Sequence, residues 1–145
     1  MLNASTNITD TIKGLKNQME KEKQQISRII IGTLMWIDRN TKAFAPVDRG
    51  YLKGSYHPRI NPDRMGGSVY SQLKYAPYQE FGTGKKVRIP SDAHMFGITK
   101  EYFQSIRGKG LRKVNLRPQP HLLPAARLGV DKMFKELEAI GIKKA

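Results

Sequence analysis

Apolar positions recur at mostly three- and four-residue steps between Ile8 and Phe44, through Ile12, Leu15, Met19, Ile26, Ile30, Thr33 and Ile37. That is the period of a helix face, and it predicts one long helix over 8–44. Asn7 is placed to cap its start and Asp10 to sit in its first turn, where an acid is favoured. Pro46 ends it, since proline has no N–H to give and clashes with the turn before it. About 36 helical residues would run to roughly 54 Å, which outreaches a domain made from 145 residues. Polarity along this helix is uneven. Residues 16–25 are nearly all polar, whereas 26–37 are apolar on more than one side. The second half is therefore expected inside the domain, and the first half is expected to project or to pack on another subunit. Two shorter helices, broken at Gly14 or near Gln24, are the alternative.

Past the helix the period changes. Leu52, Tyr56 and Ile60 alternate with Lys53, Ser55, His57 and Arg59, which predicts a half-buried strand with Pro58 at an edge or bulge. Turn-forming residues at 61–67 and a returning strand over 68–75 complete a β-hairpin over 51–75. Two strands do not hold alone in water, so the hairpin must pack on the helix or on more strands. Residues 85–90 read as a short strand or arm. After them Ser91 is a cap candidate for a helix carrying Met95, Ile98, Tyr102 and Ile106. A glycine-broken basic loop over 107–118 leads into a short strand at 113–117. Last, Ala126, Val130, Met133, Leu137 and Ile140 form one apolar stripe. It predicts a helix over 122–140, with Pro124 in its first turn and Gly141 and Ile142 ready to close it in a Schellman motif. The whole is an α+β single domain over 1–145. A small antiparallel sheet is flanked by a long N-terminal helix and a C-terminal helix, and a basic loop or arm with a short helix covers 85–117.

Charge changes the picture more than composition does. The net charge of +14 calls for an acidic partner, nucleic acid or protein. The basic residues concentrate between Lys85 and Lys113: eight of them (Lys85, Lys86, Arg88, Lys100, Arg107, Lys109, Arg112, Lys113) against Asp92 and Glu101. The chain has no cysteine, which excludes a disulfide scaffold and a thiolate zinc site. Its longest apolar run, 29–37, falls well short of the roughly 20 residues that span a bilayer. The first residues lack the basic and apolar regions of a signal peptide, so a soluble chain made in a cytoplasm is expected.

Candidate chemistry is sparse. His57, His94 and His121 fall in different elements with no i, i+4 pairing and no carboxylate cluster beside them. A metal-dependent nuclease using one of them is a residual reading; no catalytic, cofactor or metal residues are expected. Glu80, beside Tyr78, Gln79 and Phe81, is either a catalytic carboxylate in an apolar pocket or a pairing group for an arginine or a backbone amide, and pairing is expected. The run Gly82–Lys86 lacks the spacing of a phosphate-binding loop.

Three segments taken in order, 45–55, 75–84 and 109–126, resemble a family of tailed-phage tail components typified by the gene-product-ten protein of a lambdoid siphophage. The Pro-Val-Asp-(Thr/Ser)-Gly-x-Leu-x-x-Ser pattern of that family falls on Pro46, Val47, Asp48, Arg49, Gly50, Leu52 and Ser55, with Arg49 in place of a small hydroxyl residue. Its Tyr-Ala-x-x-x-Glu-(Phe/Tyr)-Gly-Thr pattern falls on Tyr75, Ala76, Glu80, Phe81, Gly82 and Thr83. A closing Arg-Pro-Phe-Leu-x-Pro-Ala is kept in part by Gln119, Pro120, His121, Leu122, Leu123, Pro124 and Ala125. The resemblance spans about residues 5–140. It implies an α+β structural protein of the virion without enzymatic activity: a tail-completion or head–tail joining protein of the neck, assembled in the bacterial cytoplasm. Copies would form a homo-oligomeric ring of six or twelve at the portal–tail junction through which DNA passes, and neighbours would be connector, tail-tube or tail-terminator proteins. On that reading Asp48, Gly50, Tyr75, Pro77, Tyr78, Glu80, Phe81 and Gly82 are candidates for a subunit or partner joint. Lys85, Lys86, Arg88, Arg107, Lys109, Arg112 and Lys113 would form a basic arm that meets an acidic ring or channel DNA. A sequence-independent nucleic-acid-binding protein acting alone is the alternative, resting on the charge and on six tyrosines that could stack on bases.

Overall fold

A computed structural model describes residues 4–47, 50–98 and 116–143, with side chains from Ile8 onward. Helix α1 (Ala4–Phe44) runs unbroken through Gly14 and Gln24. It starts earlier than the spacing of apolar residues predicts, so Asn7 lies inside the helix rather than at its N-cap. No residue in 4–7 breaks a helix, and alanine is the strongest helix former. The end falls as expected: the Ala45 N–H bonds the Thr41 carbonyl at 2.9 Å, and Pro46 follows. Burial divides the helix. Every residue from Ile8 to Gln25 is exposed, whereas Thr33, Leu34, Ile37, Asp38 and Thr41 are buried.

The hairpin is shorter than predicted at both ends. Helix α2 (Tyr51–Gly54) is a single turn where the strand was expected to begin. Leu52 and Tyr56 are four residues apart, a helical relation as much as a strand relation, and both bury in one cluster with Ala76. Strands β1 (Tyr56–Ile60) and β2 (Gly67–Ser71) pair antiparallel, with Tyr56 opposite Ser71 and Pro58 opposite Val69. The returning strand stops at Ser71, short of Tyr75. There the Ser71 hydroxyl accepts the Leu73 N–H at 3.1 Å and bonds the Ser55 hydroxyl at 2.6 Å, which turns the chain out of the ladder.

Helix α3 (Ala76–Phe81) forms where the apolar spacing predicted no element, with Pro77 in its first turn. Residues 87–90 form no strand, and the helix expected from Ser91 is a 3₁₀ turn over Ala93–Phe96 that closes at Gly97. Tyr102, Ile106 and the strand start at Lys113 lie outside the described residues. Helix α4 (Leu122–Ala139) ends in the expected Schellman motif. The Ile142 N–H reaches the Leu137 carbonyl at 3.0 Å, the Gly141 N–H reaches the Glu138 carbonyl at 3.0 Å, and Gly141 takes φ 90°.

The architecture is α+β: the inner half of α1 and all of α4 pack together, and the two-stranded sheet lies against α1. Gly129 of α4 faces Ile37 and Trp36 so closely that a Cβ there would run into Ile37 Cγ1. Gly67 does the same for the sheet, since a Cβ there would strike Leu34 and the Arg59 carbonyl. The core gathers around Ile37, around Leu52 and Tyr56, and around Phe81 and Leu123. A cavity of about 950 Å³ remains among these clusters, walled by Leu34, Val69, Phe96 and Val130. Among the described residues no helix is long and apolar enough to cross a membrane.

Gly129→Ala is expected to destabilise the fold by about 1–2 kcal/mol, because overpacking outweighs the better helix propensity of alanine. Gly14 serves as control, since a methyl placed there would have nothing within 4 Å. Gly14→Ala should leave stability unchanged or raise it by up to about 1 kcal/mol. Urea unfolding of the two variants beside the parent checks the pair.

Candidate functional site

The site is built by a return of the chain onto α3. Gly82 closes that helix at φ 80°, ψ −178°, a conformation open almost solely to glycine. A Cβ there would also stand 2.7 Å from the Leu116 carbonyl oxygen and 2.9 Å from Pro118. The close approach lets two segments lie side by side. The Thr83 N–H donates to the Leu116 carbonyl at 3.1 Å, and the Leu116 N–H donates to the Thr83 hydroxyl at 2.9 Å. The Gln119 N–H then donates to the Gln79 carbonyl at 2.7 Å.

This pairing delivers the start of α4 to Glu80. The carboxylate is 4% exposed. Its Oε2 accepts the His121 and Leu122 N–H groups, each at 2.9 Å, and its Oε1 accepts the Leu123 N–H at 2.9 Å. The first amides of a helix have no partner within it. Here His121 holds the cap position and makes no capping bond with its side chain, so a carboxylate from another element does that work. Its charge also lies where the helix dipole favours an anion. The expectation that Glu80 pairs with an arginine or a backbone amide resolves to amides.

His121 is fully buried beside it. Nδ1 lies 2.7 Å from the Gln119 carbonyl and 3.0 Å from Glu80 Oε2; Nε2 lies 2.6 Å from the Tyr56 hydroxyl. A carbonyl only accepts, so Nδ1 carries a proton, and Nε2 shares a hydrogen bond with the Tyr56 hydroxyl. The rings meet edge to face with centroids 5.4 Å apart. Tyr56 thereby ties β1 to the joint. Both groups that could make an acid–base pair, Glu80 and His121, are engaged within the chain on every side.

A second polar pair lies on the outer wall. Arg127 grips Asp92 with two bonds, Nε to Oδ2 at 2.5 Å and Nη2 to Oδ1 at 2.6 Å. The hydrogen bonds from Arg127 hold the Asp92 carboxyl below its ordinary 3.8, and those to Asp92 raise Arg127. Between this pair and the Glu80 joint opens a pocket of about 720 Å³ with Lys85, Lys86, Arg88 and Arg117 on it.

The predicted joint residues thus separate. Glu80, Phe81 and Gly82 are enclosed by their own chain, Phe81 in a cluster with Ala93 and Leu123. Gly50 and Tyr75 are exposed, and Pro77 and Tyr78 are half-buried. Asp48 lies outside the described residues, as do Arg107, Lys109, Arg112 and Lys113. His57 and His94 are exposed and far apart in the chain, and His94 Nδ1 bonds the Ser91 carbonyl at 2.9 Å. Among the described residues no three of His, Cys, Asp and Glu are grouped to hold a metal. Sequence reasoning missed Tyr56, Arg117 and the Asp92–Arg127 pair; only the shared amphipathic pattern hinted at Tyr56, and nothing hinted at the others. No family model, no curated protein and no solved structure matches the chain.

Glu80→Ala strands buried amides and is expected to cost roughly 3–5 kcal/mol, while Glu80→Gln, which turns an NH₂ towards amide donors, costs about 2 kcal/mol. Urea midpoints of the two variants check the order. Arg127→Gln tests the outer pair by pH. Asp92 has its folded pKa below the ordinary 3.8, so the pair stabilises above that value and loses this contribution as pH falls through the folded pKa. The gap in melting temperature between parent and variant should be full near neutrality and should narrow on acidification below 3.8.

Proposed function

We propose that this chain is a structural subunit of a tailed-phage neck, a tail-completion or head–tail joining protein that closes with copies of itself into a ring around the DNA channel. The observation that carries the reading is the bare stripe on the outer half of α1. Ile8, Ile12, Leu15 and Met19 are between 45% and 67% exposed. They repeat at four-, three- and four-residue steps, the spacing of a helix seam that packs on another helix or groove. The stripe extends about 16 Å along the helix. Covering such residues is worth roughly 1 kcal/mol or more each, a gain that a lone chain forgoes and a neighbouring subunit supplies. Contact between this stripe and a different surface of the next copy is heterologous, and such contacts generate rings when the rotation closes.

Three further observations support the reading. The segments that resemble the phage family converge: Leu52 of the first packs with Ala76 of the second, and Glu80 of the second caps the helix begun by the third. Glu80 and His121 spend their bonding capacity inside the chain, as a structural joint does. Net charge is the third. Closing subunits of charge +14 into a ring concentrates like charge, which acidic neighbours offset. Protein neighbours suit this better than channel DNA does, since strong phosphate binding along a conduit would hold its cargo.

Sedimentation or native mass measurement over a concentration series tests the proposal. The parent should give closed oligomers, alone or on mixing with a tail-tube or portal-side protein. Ile12→Asp combined with Leu15→Asp, both on the exposed half of α1, should keep the parent's circular dichroism and remain monomeric. A parent that stays monomeric under all these conditions sinks the ring.

A further inference from the structure

The basic pocket beside the joint has a composition that selects its occupant. Five cations line it: Lys85, Lys86, Arg88, Arg117 and Arg127. Arg127 is held by Asp92, and Lys85 has a partner of its own. Lys86, Arg88 and Arg117 are exposed, and none forms an ion pair with an acid among the described residues. The one acid that lines the pocket, Glu80, is saturated by backbone amides. The pocket therefore has cationic capacity with no acid among the described residues left to meet it.

Its walls decide what kind of anion fits. Pro90, Pro118 and Pro120 supply the accessible apolar surface, over the buried Phe81 and Leu123. Proline has no N–H, and the amides at the start of α4 are taken by Glu80. Compact phosphates are held most tightly where backbone N–H groups of a nest or helix start add to side-chain cations, and the helix start here is taken by Glu80. A nucleic-acid strand needs aromatic faces on which bases stack, and Phe81 is 3% exposed. What remains is an apolar floor with guanidinium and ammonium groups around it, which matches carboxylates flanking an apolar side chain.

The geometry points to a docking pocket for a short acidic peptide segment of a neighbouring protein, with an apolar side chain seated on Pro90, Pro118 and Pro120 and carboxylates gripped by Arg88, Arg117 and Lys86. The source of the peptide rests on the assembly reading above; the binding itself does not.

Fluorescence anisotropy with the full chain at about 0.15 M salt tests this. The probes are a labelled peptide of aspartates and glutamates around one leucine, the same peptide with serine for leucine, and a labelled single-stranded oligonucleotide of equal charge. The leucine peptide should bind at least about fivefold more tightly than the serine peptide. Arg88→Ser with Arg117→Ser should weaken it about tenfold or more. Lys13→Ser with Lys16→Ser, which removes equal charge from the outer half of α1, should change it less than about twofold. Both changes lie on exposed residues, and unchanged urea midpoints establish that the variants fold. An oligonucleotide that binds more tightly than either peptide overturns the proposal in favour of nucleic acid, as does equal binding of the two peptides or equal loss in the two double variants. Mass measurement on the same samples separates the two ideas. Selective peptide binding by a chain that stays monomeric supports the pocket and removes the ring; rings formed by a chain that ignores the peptides overturn the pocket and leave the ring standing.

Discussion

A buried carboxylate must find donors or the fold fails, and Glu80 finds three backbone amides at the start of α4. That requirement organises the molecule. To bring the amides within reach, the chain after Gly82 must come back along α3, and the bonds between Thr83 and Leu116 and between Gln79 and Gln119 hold it there. Once His121 is fixed by its own N–H to Glu80, its ring reaches Tyr56, so the hairpin is tied to the same point. One ionised group thus links α3, the 116–121 segment, α4 and β1. No single hydrophobic cluster does as much, because each is small and a large cavity lies among them.

The other constraint is the length of α1. Its inner half supplies Leu34 and Ile37 to the core, and α4 approaches it closely enough that Gly129 has no room for a methyl. Its outer half continues past every other element with its apolar residues in water. A helix of this length is stable without tertiary cover only in part, since helical stability in proteins comes largely from packing an apolar face. The bare stripe and the incomplete core are two views of one fact: the described chain has fewer internal partners than its apolar residues can use. A ring of the kind proposed would supply the remaining ones.

How much of this was legible beforehand depends on whether the deciding interaction was local. The two long helices follow from apolar spacing, and the closure of α4 follows from Gly141 and Ile142, because each depends on residues within a few positions. The hairpin was legible as a pair, but not in its bounds: Leu52 and Tyr56 satisfy helical and strand spacing alike, and packing on Ala76 chose the helix for α2. Residues 76–81 concealed a helix because six residues are too few to show a helical period, although proline is well suited to a first turn. That Glu80 needed a partner could be read from its apolar neighbours. Which partner could not, since the amides lie more than forty positions away. The Asp92–Arg127 pair, 35 positions apart, left no trace in the sequence for the same reason.

Charge on this corner is handled by a division of labour. A helix start is the usual place for an external anion, and on a chain this basic it would draw phosphate without discrimination. Glu80 occupies that place from within and removes it from competition. Asp92 does the same for Arg127. With the amides and one arginine satisfied internally, the positive charge left around the pocket belongs to exposed side chains, whose apolar stems can lie along the prolines while their charged heads stay in water.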